Sequence, residues 1–253
     1  MEKQEYLRKI KLLMAENNCD EAILSALDGY REFKDCCFLN EISDIYICMG
    51  RRKDAIKCLE KIYKQDKNNL SNIKKLGYNY FVSGDFKKAL KYYKEVLDFE
   101  PQNSQNYFNV ASMYHFLKKK KEAFDYYSFA INLDPNNVSA INNKGLLYYE
   151  NKFYEKSIPY FKRAIKSFPS HPEAYHHMGV VLREYCKDYE MSKYYLKKAF
   201  LLDPNYPLNS YQLGLTYKAL NNIDEAKKMF KRCLEIRPDN PDAEKELNSL
   251  EQL

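Results

Sequence analysis

The segment LSNIKKLGYNYFVSGDFKKALKYYKEVLDFEPQN, residues Leu70 to Asn103, decides the fold of this chain. Its eighth residue is glycine and its twentieth is alanine, and apolar residues with helical spacing surround both. Its thirty-second residue is proline, which cannot continue a helix. The segment therefore predicts two helices of about 12 to 14 residues, each roughly 20 Å long, which approach closely at the small residues and end in a turn.

The same pattern recurs along the chain at a fixed period. The prolines in FEPQN, LDPNN, SFPSH, LDPNY and IRPDN lie 34, 34, 35 and 34 residues apart. When each unit is numbered from 1 to 34, repeats begin at residues 36, 70, 104, 138, 172 and 207, with a weaker copy near residue 3. The extra residue of the sixth unit falls near residues 186–188, in the predicted turn between its two helices.

Rare residues support this register because they fall at the same positions in successive units. Glycine recurs at position 8, tyrosine at position 11 and alanine at position 20. Position 8 is held by Gly77, Gly145, Gly179 and Gly214, and position 11 by Tyr46, Tyr80, Tyr114, Tyr148 and Tyr217. One such unit cannot bury its own apolar face, so the units are expected to stack.

This pattern resembles the tetratricopeptide repeat family, whose unit reads aromatic-x2-Leu-Gly-x2-Tyr, then Ala-x3-Phe, then Pro. The chain departs from it in lacking the tryptophan at position 4 and, in the first two units, the proline. The resemblance implies an all-α fold, a right-handed α-α superhelical solenoid of tandem helix pairs with a C-terminal capping helix. We expect one domain over 1–253, with repeats at about 3–35, 36–69, 70–103, 104–137, 138–171, 172–206 and 207–240 and a capping helix over 241–253.

Composition and the absence of known catalytic motifs reduce the number of function classes that fit this sequence. The 253 residues carry a net charge of +6, which is too small for a polyelectrolyte, and no apolar run reaches the roughly 18 residues of a membrane span. The seven cysteines include no CxxC pair, which favours the reducing cytoplasm. No nucleophile elbow, phosphate-binding glycine loop or zinc-protease motif is present. We therefore predict a non-enzymatic, cytoplasmic protein with no cofactor, no metal site, no small-molecule substrate and no membrane insertion.

The family resemblance implies a concave groove lined by first-helix positions 2, 5, 6, 9, 12 and 13. In the central units these positions hold mostly amides and aromatic rings, which suit the backbone and side chains of an extended peptide. The alternatives without a binding role are that the asparagines lie on a solvent-exposed helix face and that Phe108 packs between adjacent first helices. The predicted peptide-binding residues are Lys74, Tyr78, Phe108, Asn109, His115, Asn142, Asn143, Tyr149, His177 and Gln212.

The sequence thus predicts a protein–protein interaction scaffold whose partner is a protein or a peptide. Two alternatives remain within the binding proteins, a receptor for a peptide signal and a chaperone for secretion. A third, of another class, is a nucleic-acid accessory protein that uses the lysine run 118–121. We do not expect nucleic acid, because this run falls in a turn at positions 15 to 18 and charges of both signs alternate along most helices.

Overall fold

The computed structural model describes residues 1–252, which form fifteen α-helices and no strand. Helices follow one another through short turns, so that fourteen of them make seven consecutive pairs and the last stands alone. Their bounds are α1 Lys3–Ala15, α2 Cys19–Phe33, α3 Cys36–Cys48, α4 Arg52–Gln65, α5 Leu70–Val82, α6 Phe86–Phe99, α7 Ser104–Phe116, α8 Lys120–Leu133, α9 Val138–Glu150, α10 Tyr154–Ser167, α11 Pro172–Val181, α12 Tyr189–Leu202, α13 Pro207–Ala219, α14 Ile223–Ile236 and α15 Pro241–Glu251.

The helices keep the register predicted from the sequence. From α3 onward, the first helix of every pair begins at position 1 of its repeat. The predicted fold class of tandem helix pairs with a C-terminal helix is thereby confirmed. Backbone contacts divide the chain into two compact units, unit 1 (Met1–Ala123) and unit 2 (Phe124–Leu253), which are described separately. The single domain and its repeat boundaries stay a prediction.

One residue in the turn of every helix pair has a left-handed backbone. Its φ lies between 56° and 77° in all seven pairs, and it falls at position 15 of each repeat once the extra residue is allowed for. Glycine and asparagine adopt this conformation most easily, which explains the glycines of that position. The seven residues are Asn17, Gly50, Gly84, Lys118, Lys152, Lys187 and Asn221.

The extra residue of the repeat 172–206 is absorbed directly before its turn. Helix α11 ends at Val181 and continues as a π-helical turn over Leu182–Cys186. A π turn holds one more residue than an α turn, and the backbone N–H groups of Lys187 and Asp188 both reach the carbonyl of Leu182. The helix α12 consequently resumes in register with the other second helices.

The two helices of a pair approach each other at the predicted small residues. A Cβ atom added to Gly77 would lie 2.9 Å from the ring of Tyr93, and one added to Gly179 would lie 2.5 Å from Leu196 Cγ. Ala89, at position 20, is fully buried. Position 8 of the first helix therefore lies against position 24 of the second, and no side chain fits between them.

In unit 2 the C-terminal helix covers the last repeat as predicted. Leu247 and Leu250 of α15 are 9% and 1% exposed, and they join a core cluster with Leu213, Tyr217 and Phe230. The salt bridge between Lys218 Nζ and Glu246 Oε2, 2.6 Å long, ties α15 to α13. The opposite side of α15 carries the exposed acidic side chains. This helix thus closes an apolar surface that would otherwise face water.

We predict that Gly77→Leu destabilises the protein by about 1 to 3 kcal/mol, because the new side chain must displace the ring of Tyr93. The free energy of unfolding is measured by urea denaturation. Lys87→Leu, on the exposed side of α6, is the matched control and is expected to change it by less than about 0.5 kcal/mol. Equal stability of the two variants would show that the helices do not meet at position 8.

Buried asparagines at position 3 of a first helix join it to the preceding second helix. Asn209 is 1% exposed, and its Nδ2 donates to the carbonyl oxygens of Ala199 at 3.1 Å and Asp203 at 3.0 Å. Asn72 and Asn106 occupy the same position and donate to Leu59 and Glu100. The carbonyl groups that accept these hydrogen bonds lie within the preceding second helix or directly after its last residue. The asparagines at position 3 therefore have a structural role.

We expect Asn209→Ala to lower the free energy of unfolding by about 1 to 3 kcal/mol, since it removes donors from two carbonyls in a buried site. Chemical denaturation followed by circular dichroism provides the measurement. Asn248→Ala, on the exposed side of α15, serves as the control and should stay close to the wild type. A small effect at Asn209 would mean that water replaces the amide there.

Candidate functional site

The predicted groove residues of unit 1 lie on α5 and α7. Tyr78 is 55% exposed, while Lys74 Nζ donates to Glu100 Oε1 at 2.7 Å and is held at the end of α6. Asn109 is partly exposed, and its Oδ1 accepts a hydrogen bond from Gln105 Nε2 at 3.0 Å, which leaves its own Nδ2 group to donate. Tyr78 and Asn109 therefore offer an exposed ring and an amide donor.

Helix α7 contains no aspartate, glutamate, lysine or arginine. Phe108 and His115 lie on this helix, and both are partly exposed. The same helix thus carries an apolar ring, an amide and an imidazole, and their role in binding a peptide stays a prediction.

The sequence did not reveal how unit 1 neutralises the charges on its first helices. Lys75 of α5 donates to both carboxylate oxygens of Asp44 on α3, at 2.7 and 2.8 Å, and to Asn40 Oδ1 at 2.8 Å. These partners stand 31 and 35 residues before Lys75, close to one repeat away. The repeat register combined with opposite charge could have indicated this pair. The pairing leaves little net charge at this position.

In unit 2 the predicted residues Asn142 and His177 are brought together. His177 Nδ1 donates to Asn142 Oδ1 at 3.0 Å, which joins α9 to α11. Asn142 is only 3% exposed, because position 5 of α9 lies against the next first helix. His176 forms the corresponding bond to Asn209 Oδ1 on α13, at 2.8 Å. Asn142 thus positions His177, and its own side chain is too deeply buried to contact a peptide.

Two further residues, Arg183 and Glu184, join the predicted residues Tyr149 and Gln212. Arg183 Nη2 donates to Gln212 Oε1 at 2.5 Å and to Glu184 Oε1 at 3.0 Å, and the Tyr149 hydroxyl donates to Glu184 Oε2. The Arg183 side chain is 14% exposed. Positions 12 and 13 of the register contain both residues, but only the structure shows that they link α9, α11 and α13.

Asn143 differs from its neighbours in this set. Among the described residues, its side chain has no hydrogen-bond partner, and it is partly exposed. An amide in this state can donate to and accept from a peptide backbone without first breaking an internal bond. Asn143 shares α9 with Asn142 and Tyr149, whose side chains are hydrogen-bonded to residues of the following repeat.

The electrostatics of unit 2 keep His176 and His177 neutral. Burial, together with the nearby His176 and His171, lowers the pKa of His177 to about 3. Burial also lowers the pKa of His176, although its hydrogen bond to Asn209 opposes this. Burial and the Glu184 carboxylate raise the pKa of Tyr149, so its hydroxyl keeps its proton. All three groups are therefore uncharged at neutral pH.

We predict that the free energy of unfolding falls as the pH decreases below about 6.5. Unfolded His177 binds a proton below its ordinary pKa of 6.5, whereas folded His177 stays neutral to about pH 3, so the unfolded state gains protons first. The slope from this group is at most about 1.4 kcal/mol per pH unit. Urea denaturation at pH 7.5, 6.5, 5.8 and 5.2 measures it.

The variant His177→Gln is expected to flatten this pH profile, while Asn143→Ala, which carries no titratable group, should keep the slope of the wild type. An unchanged slope in His177→Gln would show that His177 takes up its proton in the folded state as readily as in the unfolded one.

The comparisons with known proteins agree with this architecture. The family model described as tetratricopeptide repeat matches residues 138–171, 172–206 and 210–240, and the model described as anaphase-promoting complex, cyclosome, subunit 3 matches residues 49–130. The chain is a tetratricopeptide-repeat protein. No curated protein matches it.

Solved structures show the same fold at low sequence identity. A tetratricopeptide repeat protein from Parabacteroides merdae is 15% identical with a TM-score of 0.80, and each chain covers 98% of the other. The Cut9–Hcn1 hetero-tetramer structure is 15% identical with a TM-score of 0.75, over 95% of this chain and 48% of that one. A protein from Thermus thermophilus is 18% identical with a TM-score of 0.61, over 73% and 100%.

Neither a metal site nor a membrane span is found in the described part of the chain. Within residues 1–252, no group of three His, Cys, Asp or Glu side chains is arranged to hold a metal ion. In the same part of the chain, no helix combines the length and the apolar character needed to cross a membrane. Tetratricopeptide repeats are generally non-catalytic, and their fold is that of a protein–protein interaction scaffold.

Proposed function

We propose that this protein is a non-enzymatic scaffold that binds an extended peptide segment of a partner protein on the faces of its first helices. The observation that carries the proposal is the set of side-chain hydrogen bonds between successive first helices of unit 2. They hold Tyr149, His177 and Gln212 in place, while the amide of Asn143 on α9 has no hydrogen-bond partner among the described residues. A surface that is ordered before binding loses less conformational entropy when a peptide arrives.

The chemistry of the two units supports a peptide more than a charged ligand. Helix α7 has no charged residue, and Lys75 and Arg183 are both engaged by carboxylates. Amide groups such as those of Asn109 and Asn143 pair with peptide N–H and C=O groups alike. Exposed rings such as Tyr78 provide apolar contact for the side chains of the peptide.

The comparisons support a protein partner. One matched family model is named for a subunit of a complex, and one similar structure is a hetero-tetramer. These names describe those proteins, and for this chain they support only the general proposal that it assembles with others. We also propose a cytoplasmic location, which the seven free cysteines support.

We predict that the combined variant Phe108→Ala, Asn109→Ala and Asn143→Ala binds its partner at least tenfold more weakly than the wild type. The two amides are partly exposed, so Asn109→Ala and Asn143→Ala should each leave the free energy of unfolding within about 0.5 kcal/mol of the wild type. Affinity capture from a lysate followed by mass spectrometry identifies the partner, and titration with that purified partner measures binding.

The matched control replaces Lys118 and Lys121 with alanine, at the turn between α7 and α8, and nuclease is added to one sample. A partner lost only from the groove variant supports the proposal. An unchanged catch in that variant contradicts it, and recovery of nucleic acid that depends on the two lysines would favour the nucleic-acid alternative.

A further inference from the structure

Helix α12 of unit 2 exposes apolar side chains along one side. Met191, Tyr194 and Leu201 are 43%, 51% and 72% exposed. Tyr194 and Leu201 follow Met191 by three and ten residues, so all three lie on the same side of the helix and span roughly 15 Å. We refer to these three residues as the α12 stripe.

The repeats supply an internal control for this stripe. After allowance for the extra residue, its members occupy positions 19, 22 and 29 of their repeat. The other second helices hold charged or polar residues at these positions, except for Leu24 and Pro159. The full set is Glu21, Leu24 and Arg31; Asp54, Lys57 and Lys64; Lys88, Lys91 and Asp98; Glu122, Asp125 and Asn132; Lys156, Pro159 and Lys166; and Glu225, Lys228 and Glu235.

The fold therefore does not require apolar residues at these positions. In each of the six other helix pairs, at least two of these three positions are polar or charged. Burying the stripe against another molecule would remove its apolar surface from water. Scattered exposed apolar residues are common in proteins, but three in one row on one helix distinguish α12 from its neighbours.

Basic side chains are in excess on the helix of the stripe and on the preceding second helix. Helix α10 carries four basic residues and one acidic residue, and α12 carries three and one. Lys162, Lys166 and Lys198 are exposed, and among the described residues none of them forms an ion pair. The one acidic residue of α12, Glu190, is already paired with Lys193. The lysines near the stripe thus have charge available for a partner.

Core clusters connect α12 with α10 and with α14. Tyr195 of α12 packs against the cluster that contains Phe161 of α10, and Leu196 shares a cluster with Phe230 of α14. Both clusters lie within unit 2. The stripe and the lysines of α10 and α12 all lie on second helices, so the surface that they form is separate from the first-helix residues of the proposed groove.

We propose that this surface binds an acidic amphipathic segment of a partner protein. The apolar side of such a segment would cover Tyr194 and Leu201, and its carboxylates would lie near the lysines of α10 and α12. Tyrosine beside desolvated aliphatic groups is typical of residues that dominate binding energy, and opposite charges around them select the partner. The proposal is independent of peptide binding by the first helices.

Two other polyanionic surfaces fit less well. Phosphate groups of a nucleic acid gain nothing from an apolar stripe. An anionic membrane would need apolar residues on more than one helix, yet positions 19 and 29 of α14 hold the carboxylates Glu225 and Glu235. One row of apolar residues on one helix, with basic residues near it, has the size that the apolar side of one helical segment would cover.

The test begins with a displayed library of random 16-residue peptides selected on the full chain. Peptides that also bind the variant Met191→Gln, Tyr194→Gln and Leu201→Gln are removed by counterselection. We expect the remaining sequences to be net acidic, with apolar residues three or four positions apart. Circular dichroism first establishes that the variant is folded, which we expect because other repeats carry polar residues at these positions.

A selected peptide is then synthesised with a fluorescent label, and its dissociation constant is measured by anisotropy. The glutamine variant of the stripe and the variant Lys162→Gln, Lys166→Gln and Lys198→Gln should each weaken binding at least tenfold. The control changes the same amount of charge in unit 1, through Lys53→Gln, Lys64→Gln and Lys87→Gln, and should change binding less than twofold.

Several results would overturn the inference. The first is a selection that yields no acidic amphipathic peptides. The second is that the control variant in unit 1 weakens peptide binding as much as the variants of the surface do, which would indicate unspecific electrostatic attraction. Loss of a selected peptide in Asn109→Ala with Asn143→Ala would place it on the first helices, and the proposed function would then stand alone. Stripe-dependent binding to phosphatidylserine vesicles without peptide binding, or a stripe-dependent dimer in sedimentation, would assign the surface to a membrane or a second copy.

Discussion

The close approach of two helices at positions 8 and 24 is the contact on which the rest of the structure depends. Gly77 against Tyr93 and Gly179 against Leu196 leave no room for a Cβ atom, so the helices of a pair pack at a fixed place along their lengths. The same contact recurs between Gly145 and Phe161 and between Gly214 and Phe230, and the turns and buried asparagines recur with the same period. The side chains of successive first helices then fall opposite one another at intervals close to the repeat length.

Polar bonds between repeats build on that apolar contact. Asn209 donates hydrogen bonds to the carbonyl oxygens of Ala199 and Asp203 and accepts one from the ring N–H of His176, so one buried amide links α11, α12 and α13. Buried amides and imidazoles are tolerated only when they are paired, which ties the order of this region to the correct stacking of neighbouring repeats. The depressed pKa of His177 is a consequence of the same burial.

Two surfaces of unit 2 differ in whether their charged side chains are paired. On the first helices, Arg183 and Glu184 pair internally, and the amide of Asn143 remains for hydrogen bonding. On the second helices, Lys162, Lys166 and Lys198 keep their charge beside exposed apolar residues. The first surface suits a peptide backbone, and the second suits an acidic amphipathic segment. A scaffold with two such surfaces could hold two segments of its partners at once.

The sequence by itself determined the helix pairs, their period and the terminal helix, because glycine, alanine and proline at fixed positions constrain the backbone locally wherever they recur. Through the repeat register, it also placed Tyr149, His177 and Gln212 at first-helix positions that line the predicted groove. Only the tertiary structure decided that Asn142 is buried, that Arg183 reaches Gln212 and that α12 exposes a stripe. Those outcomes depend on which side chains of different repeats meet in space, and a periodic pattern within one repeat carries no information about that meeting.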